Sequence, residues 1–142
     1  MKTFSKTIEI NTSRRFEFVS LNSGATRAVE ESGVKEGIVF LFCFHTTAAL
    51  VINEDDSTIH RDFEKVFNKL VPEDFSYEHT MEGKDNARAH QLAMILGNNI
   101  FVPIKNGKLD LGTWQSLFFV ELLGSRRREV KFLIIGENTN IQ

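Results

Sequence analysis

Four histidines, His45, His60, His79 and His90, are the side chains of this sequence best suited to chemistry near neutral pH. Imidazole alone titrates there unperturbed, and in its neutral form it is a common metal ligand. Their settings differ. His45 ends an apolar run, at the kind of strand end where sites of open sheets collect. His79 falls in a long irregular stretch, and His90 follows Asn86 by one helical turn, so those two share a face. His60 lies off the apolar stripe of its helix and is expected in solvent. Placed at a strand end, in a loop and on a helix, His45, His79 and His90 could reach one pocket, which spacing alone does not establish. The alternative is three separate imidazoles, each satisfied by a backbone carbonyl.

Acids and arginines offer the complementary groups. Asn53-Glu54-Asp55-Asp56 precedes a helix, where capping and the helix dipole account for Asp55 and Asp56 but leave Glu54 unexplained. Asp62 stands on the polar side of that helix. Gly124-Ser125-Arg126-Arg127-Arg128 gathers three arginines in a glycine turn, read either as a hairpin tip in water or as a phosphate site. In the second case guanidinium forks and the Gly124–Arg126 amides, with Arg127 foremost, would grip the anion. Gly112-Thr113-Trp114-Gln115 places the one tryptophan, a packing or subunit-contact anchor, beside Gln115, which could recognise a polar ligand group. Glu121 interrupts an apolar strand, so it either faces solvent or is buried with a partner and a raised pKa.

The elements that must position these groups follow from periodicity. Alternation from Phe4 to Ile10 and around Phe16–Val19 predicts two strands. Asn22 or Ser23 would cap a short helix that stops at Gly33. Ile38–Phe44 is continuously apolar and predicts a strand buried on both faces, with Cys43 as inert core. Leu50–Ile52 predicts another strand. Ile59, Phe63, Val66, Phe67 and Leu70 form one helical stripe, capped by Asp56 or Ser57 and closed by Pro72. A long loop over 71–84 precedes a helix capped by Asp85 or Asn86 and ended by Gly97. Strands are then predicted at 100–104, 108–111, 115–122 and 129–135, with Asn106-Gly107 marking a type I′ hairpin. The expected fold is α+β: a single domain over 1–142, with a mixed, largely antiparallel sheet and about three helices.

Composition narrows the function. With 142 residues, 17 Lys+Arg, 19 Asp+Glu and a net charge of −2, the chain lacks the positive field of a nucleic-acid or membrane-surface binder. No apolar stretch approaches the roughly 18 residues of a membrane span, and the first residues lack the apolar core of a secretory signal. One cysteine allows no internal disulfide, and a cytoplasmic setting is expected. Thirteen phenylalanines in so small a domain predict an oligomer that covers surplus apolar surface.

The segments His45-Thr46-Thr47-Ala48-Ala49-Leu50, Asn53-Glu54, Asp62, Tyr77-Glu78-His79, Asp85-Asn86 with His90, Leu96-Gly97, Gly112-Thr113-Trp114-Gln115, Glu121 and Gly124-Ser125-Arg126-Arg127 together carry a resemblance. In order and spacing the chain resembles the YjbQ family, also called the secondary thiamine-phosphate synthase family, over nearly its whole length. The resemblance implies a homotrimer with sites near subunit boundaries. It also implies a phosphate-handling activity that joins a pyrimidine diphosphate to a thiazole phosphate and releases pyrophosphate. His45, His79 and His90 would be the polar centre and tentative metal ligands, with Glu54 and Asp62 as further catalytic groups. Gln115, Glu121, Arg126 and Arg127 would bind substrate. Three histidines with a carboxylate suit Zn²⁺, whereas Glu54 and Asp62 suit Mg²⁺. A small-ligand or metal-binding trimer without turnover is the alternative. Arg88 and Leu123 stand where acids are common in the family.

Overall fold

Period-two alternation at both ends of the chain, with helical stripes between them, gives eight strands and three helices in a computed structural model that describes residues 1–139. In order these are β1 (Lys2–Asn11), β2 (Glu17–Ser20), α1 (Asn22–Ser32), β3 (Glu36–Cys43), β4 (Ala48–Asn53), α2 (Ser57–Leu70), α3 (Lys84–Leu96), β5 (Asn99–Lys105), β6 (Lys108–Leu109), β7 (Ser116–Glu121) and β8 (Arg127–Glu137). The α+β expectation holds. The single mixed sheet does not: the strands form a five-stranded sheet, β1-β8-β3-β5-β6, and a three-stranded sheet, β2-β7-β4. Every pairing among the described residues is antiparallel.

The three-stranded sheet is the middle layer, which is why β7 is buried on both faces. Phe119 and Leu117 join β4, α1 and the inner face of the five-stranded sheet in one core. Phe118 and Val120 point the other way, into a second core with Ala89, Leu92 and Ala93 of α3. The strand expected to be doubly buried, β3, alternates. Val39, Leu41 and Cys43 face the core, while Phe40 and Phe42 are exposed on the outer face with Phe101 of β5. A continuous apolar run fits such a strand when its outer side chains are aromatic, as Phe40 and Phe101 are, with ring centroids 5.9 Å apart.

Local signals explain most boundaries. Asp56 caps α2 by accepting from the Thr58 and Ile59 amides, and Gly33 ends α1 at φ 72°. Asn106 and Gly107 take φ 52° and 74°, the type I′ turn expected there. Asn22 does not cap α1. Its side chain bridges to β7, donating to Ser116 Oγ and accepting from the Leu117 amide. Nor does Asp85 or Asn86 cap α3, whose first turn starts at Gly83 without a side-chain cap. No helix among the described residues is long and apolar enough to cross a membrane.

The arginine turn is not a hairpin tip, because β7 and β8 belong to different sheets. The chain crosses between the layers there, and Glu121 and Arg128, 0% and 5% exposed in their side chains, are paired across the crossing. Arg128 Nε donates to Glu121 Oε1 at 2.8 Å, and Nη2 donates to Oε2 and to Thr47 Oγ1. Thr12 Oγ1 donates to Oε1 at 2.7 Å, and the Leu122 and Leu123 amides donate to Oε2. Burial alone would raise the Glu121 carboxyl, but donation from Arg128, the Gly124 amide, Thr12 and the Leu123 amide outweighs it and holds the pKa at about 2, below its ordinary 4.5.

Breaking this pair from one side leaves a buried charge, so Arg128→Met is expected to cost about 3–5 kcal/mol in urea unfolding, while Glu121→Leu with Arg128→Met recovers most of that loss. Because the folded pKa lies below the ordinary one, the carboxylate stabilises fully above about pH 4.5 and loses that contribution as pH falls towards 2. Urea midpoints measured across that window should fall less in the double variant than in the wild type.

Candidate functional site

Helix α3 packs Ala89 and Leu92 into the second core and turns His90 sideways from it. The preceding loop folds back over this side. Tyr77 donates to Pro72 O at 2.6 Å, and Phe75 packs on Tyr77 with ring centroids 5.0 Å apart. His79 is thereby brought to His90, the two imidazoles lying edge to face with centroids 5.1 Å apart. Together with Phe75, Tyr77, Glu78 and Gln91 they line an open cavity of about 530 Å³. One turn before His90, Asn86 is 4% exposed, and its Oδ1 is the one buried side-chain oxygen among the described residues without a donor.

His45 does not line that cavity. It follows β3, and its Nε2 accepts the Glu129 amide at 2.8 Å, which requires the proton on Nδ1. Burial first, then the Arg128 charge, lowers its pKa. His45 therefore belongs to the Glu121–Arg128 crossing, where Thr47 also accepts from Arg128. Within one chain the structure pairs His79 with His90, and His45 lies outside their cavity. Cys43 beside it is buried, as expected, and burial raises its thiol pKa.

The remaining candidates are dispersed, and none lines the histidine cavity. Glu54 uses its carbonyl to accept from His60 Nε2 at 3.0 Å. His60 is not in open solvent as expected: it stacks on Phe18 with centroids 4.1 Å apart. Asp62 is exposed on α2, and Gln115 folds back to accept the Gly112 amide at 2.8 Å, close to a largely exposed Trp114. Arg127 is exposed and paired with Glu9 at 2.8 Å. The Arg126 amide is committed to Thr12 Oγ1 at 2.9 Å, leaving only its exposed side chain free for a ligand. The amides that meet an anion at the turn are those of Leu122, Leu123 and Gly124 and not the Gly124–Arg126 set expected, and the anion they hold is the chain's own Glu121 carboxylate. Glu121 is consequently consumed structurally, with a lowered pKa and not the raised one expected for a buried carboxyl.

Sequence reading assigned the turn to Arg126 and Arg127 and passed over Arg128. Its signal was present: Arg128, Val130, Phe132 and Ile134 alternate along β8, and that face is the buried one. A resident metal is not matched by one chain. No cluster of three or more His, Cys, Asp or Glu suited to a metal occurs among the described residues. Catalytic zinc takes three protein ligands, and His79 with His90 supplies two.

The family model described as "UPF0047 protein YjbQ-like" matches residues 6–137. A UPF0047 protein of Methanothermobacter thermautotrophicus is 39% identical over 137 residues, 96% of this chain and 95% of its own. YugU of Bacillus subtilis, a UPF0047 protein, is 33% identical over 132 residues, 92% of this chain and 98% of its own. Among solved structures, a YbjQ-like protein of unknown function from Sulfolobus solfataricus superposes with TM-score 0.90 at 35% identity, covering 96% of this chain and 99% of that one. A YjbQ/UPF0047 protein from Clostridium acetobutylicum gives 0.87 at 39%, covering 92% and 99%.

The Glu129 contact fixes what His45 should show in solution. Nitrogen-15 NMR of the imidazoles is expected to find His45 as the Nδ1–H tautomer at pH 7, titrating below the ordinary 6.5, with loss of the Glu129 amide bond as Nε2 gains its proton.

Proposed function

Since the chain belongs to the YjbQ-like UPF0047 family, we propose that it works on a phosphorylated heteroaromatic metabolite held in the His79–His90 cavity, as a phosphate-handling transferase of the thiamine-phosphate synthase type. The observation that carries this reading is the imidazole pair set beside the Phe75–Tyr77 aromatic pair in a volume suited to such a ligand. Aromatic faces take a planar ring by stacking, and protonated imidazoles donate to phosphate oxygens. In the transfer, the bond between the pyrimidine methyl carbon and the pyrophosphate oxygen breaks while the thiazole nitrogen bonds to that carbon. The charge that develops on pyrophosphate is what His79 and His90 would meet. Zn²⁺ or Mg²⁺ would need donors beyond this pair, from ligand phosphates or a second chain. Binding without turnover is the second reading, favoured by the absence of Glu54, Asp62 and Gln115 from the cavity.

The reading includes a homotrimer with the site completed at a subunit boundary. Its support is the aromatic outer face of the five-stranded sheet. Phe42, Phe44 and Phe101 are 44%, 50% and 58% exposed there, an apolar area that isolated soluble domains seldom leave open.

Calorimetric titration with a thiazole phosphate is expected to show binding that weakens about tenfold or more in His90→Ala, the loss of one charge-assisted contact. Unchanged affinity would remove the histidine pair from the function, and binding with no pyrophosphate released from the pyrimidine diphosphate partner would select the second reading. Light scattering should return three times the 16.2 kDa chain mass, falling towards one in Phe42→Glu with Phe101→Glu.

A further inference from the structure

Arg88, on the opposite side of α3 from the histidine pair's cavity, is 5% exposed and makes no ion pair within 4.0 Å among the described residues, although the Glu64 charge acts on it from a distance. Its Nε donates to Val71 O at 2.7 Å and its Nη2 to Asn68 Oδ1 at 2.6 Å, both neutral acceptors. None of the ion pairs among the described residues includes it, and its Nη1 has no acceptor there. A guanidinium keeps its charge and has five donors to place, and a buried charge is costly until an anion meets it.

This side chain lines a cavity of about 470 Å³ together with Arg15, Glu64, Asn68, Glu73 and Asp74. Arg15 is already paired with Glu73. Setting that pair aside leaves one buried cation in the wall and two exposed carboxylates, Glu64 and Asp74, with no ion-pair partner among the described residues. A phosphate dianion would satisfy Arg88 but face both acids, and a simple carboxylate would leave the acids unmatched. We propose that this cavity binds a small zwitterion of the amino-acid type, with its carboxylate on the free edge of Arg88 and its ammonium towards Glu64 and Asp74. The site shares no lining residue with the histidine cavity and stands apart from the function proposed there.

The full chain, followed by amide NMR, would be titrated separately with glycine, β-alanine, acetate, methylamine and inorganic phosphate. Saturable shifts centred on 68–74 and 88 are expected with the two zwitterions, about fivefold tighter than with the three probes that carry charge of one sign only, reflecting charge matching at both ends. Arg88→Met should weaken zwitterion binding about tenfold, and Arg88→Lys should recover only part because the planar fork is lost. Glu64→Gln, an exposed change that spares folding, should weaken the zwitterions about threefold while acetate binds no more weakly than before. Phosphate or acetate binding as tightly as glycine, no saturable shift, or zwitterion affinity unchanged in Glu64→Gln would each overturn the proposal. His90→Ala should leave glycine binding intact, so failure here and failure at the histidine cavity are read separately.

Discussion

A carboxylate and a guanidinium seven residues apart, both withdrawn from water, join the end of β7 to the start of β8. Removing two ions from water is expensive, and their attraction compensates only when the remaining lone pairs and protons are also satisfied. Here they are. Glu121 receives Thr12, Arg128 and two successive amides, and the second Arg128 nitrogen reaches Thr47. Each partner comes from a different part of the chain: the end of β1, the start of β4, the β7–β8 crossing and β8 itself. Together they tie the three-stranded sheet to the five-stranded one where the chain passes between them. The same crossing needs Gly124 at φ 77°, where an added Cβ would come 2.4 Å from Arg15 Cα.

Much of the fold was legible because it rests on local pattern. The α2 stripe, the Gly33 stop, the Asn106-Gly107 turn and the terminal strands all follow from period and turn chemistry. The division into two sheets was not legible, since strand partners across the chain leave no mark in a single strand's period. β3 shows the limit well: alternation is invisible when the outer positions are phenylalanines and the inner ones Val, Leu and Cys, because both sets are apolar.

The site divides in the same way. His79 and His90 could be paired from the sequence because a loop and the helix that follows it are neighbours by necessity. His45 could not be excluded from them, because its place depends on the pairing of β3 with β8, more than 80 residues on. Arg126 and Arg127 drew attention by composition, whereas the arginine that matters to the architecture was marked only by its phase along β8. Burial of Arg88 follows from how α3 sits against the loop after α2, which no spacing within the helix reveals.

The position of β8 between β1 and β3 has a consequence for how the chain reaches this structure. β1 has no other strand neighbour, and β3 borders β8 on one side and β5 on the other. On a ribosome, β1 emerges about 115 residues ahead of its partner β8, so the order of synthesis and the order of pairing are opposed. The N-terminal strand spends that interval as an unpaired edge with an alternating apolar face, the state in which β-strands recruit wrong partners. Lys2 and Lys6, spaced along that strand, place charge on the edge during the wait.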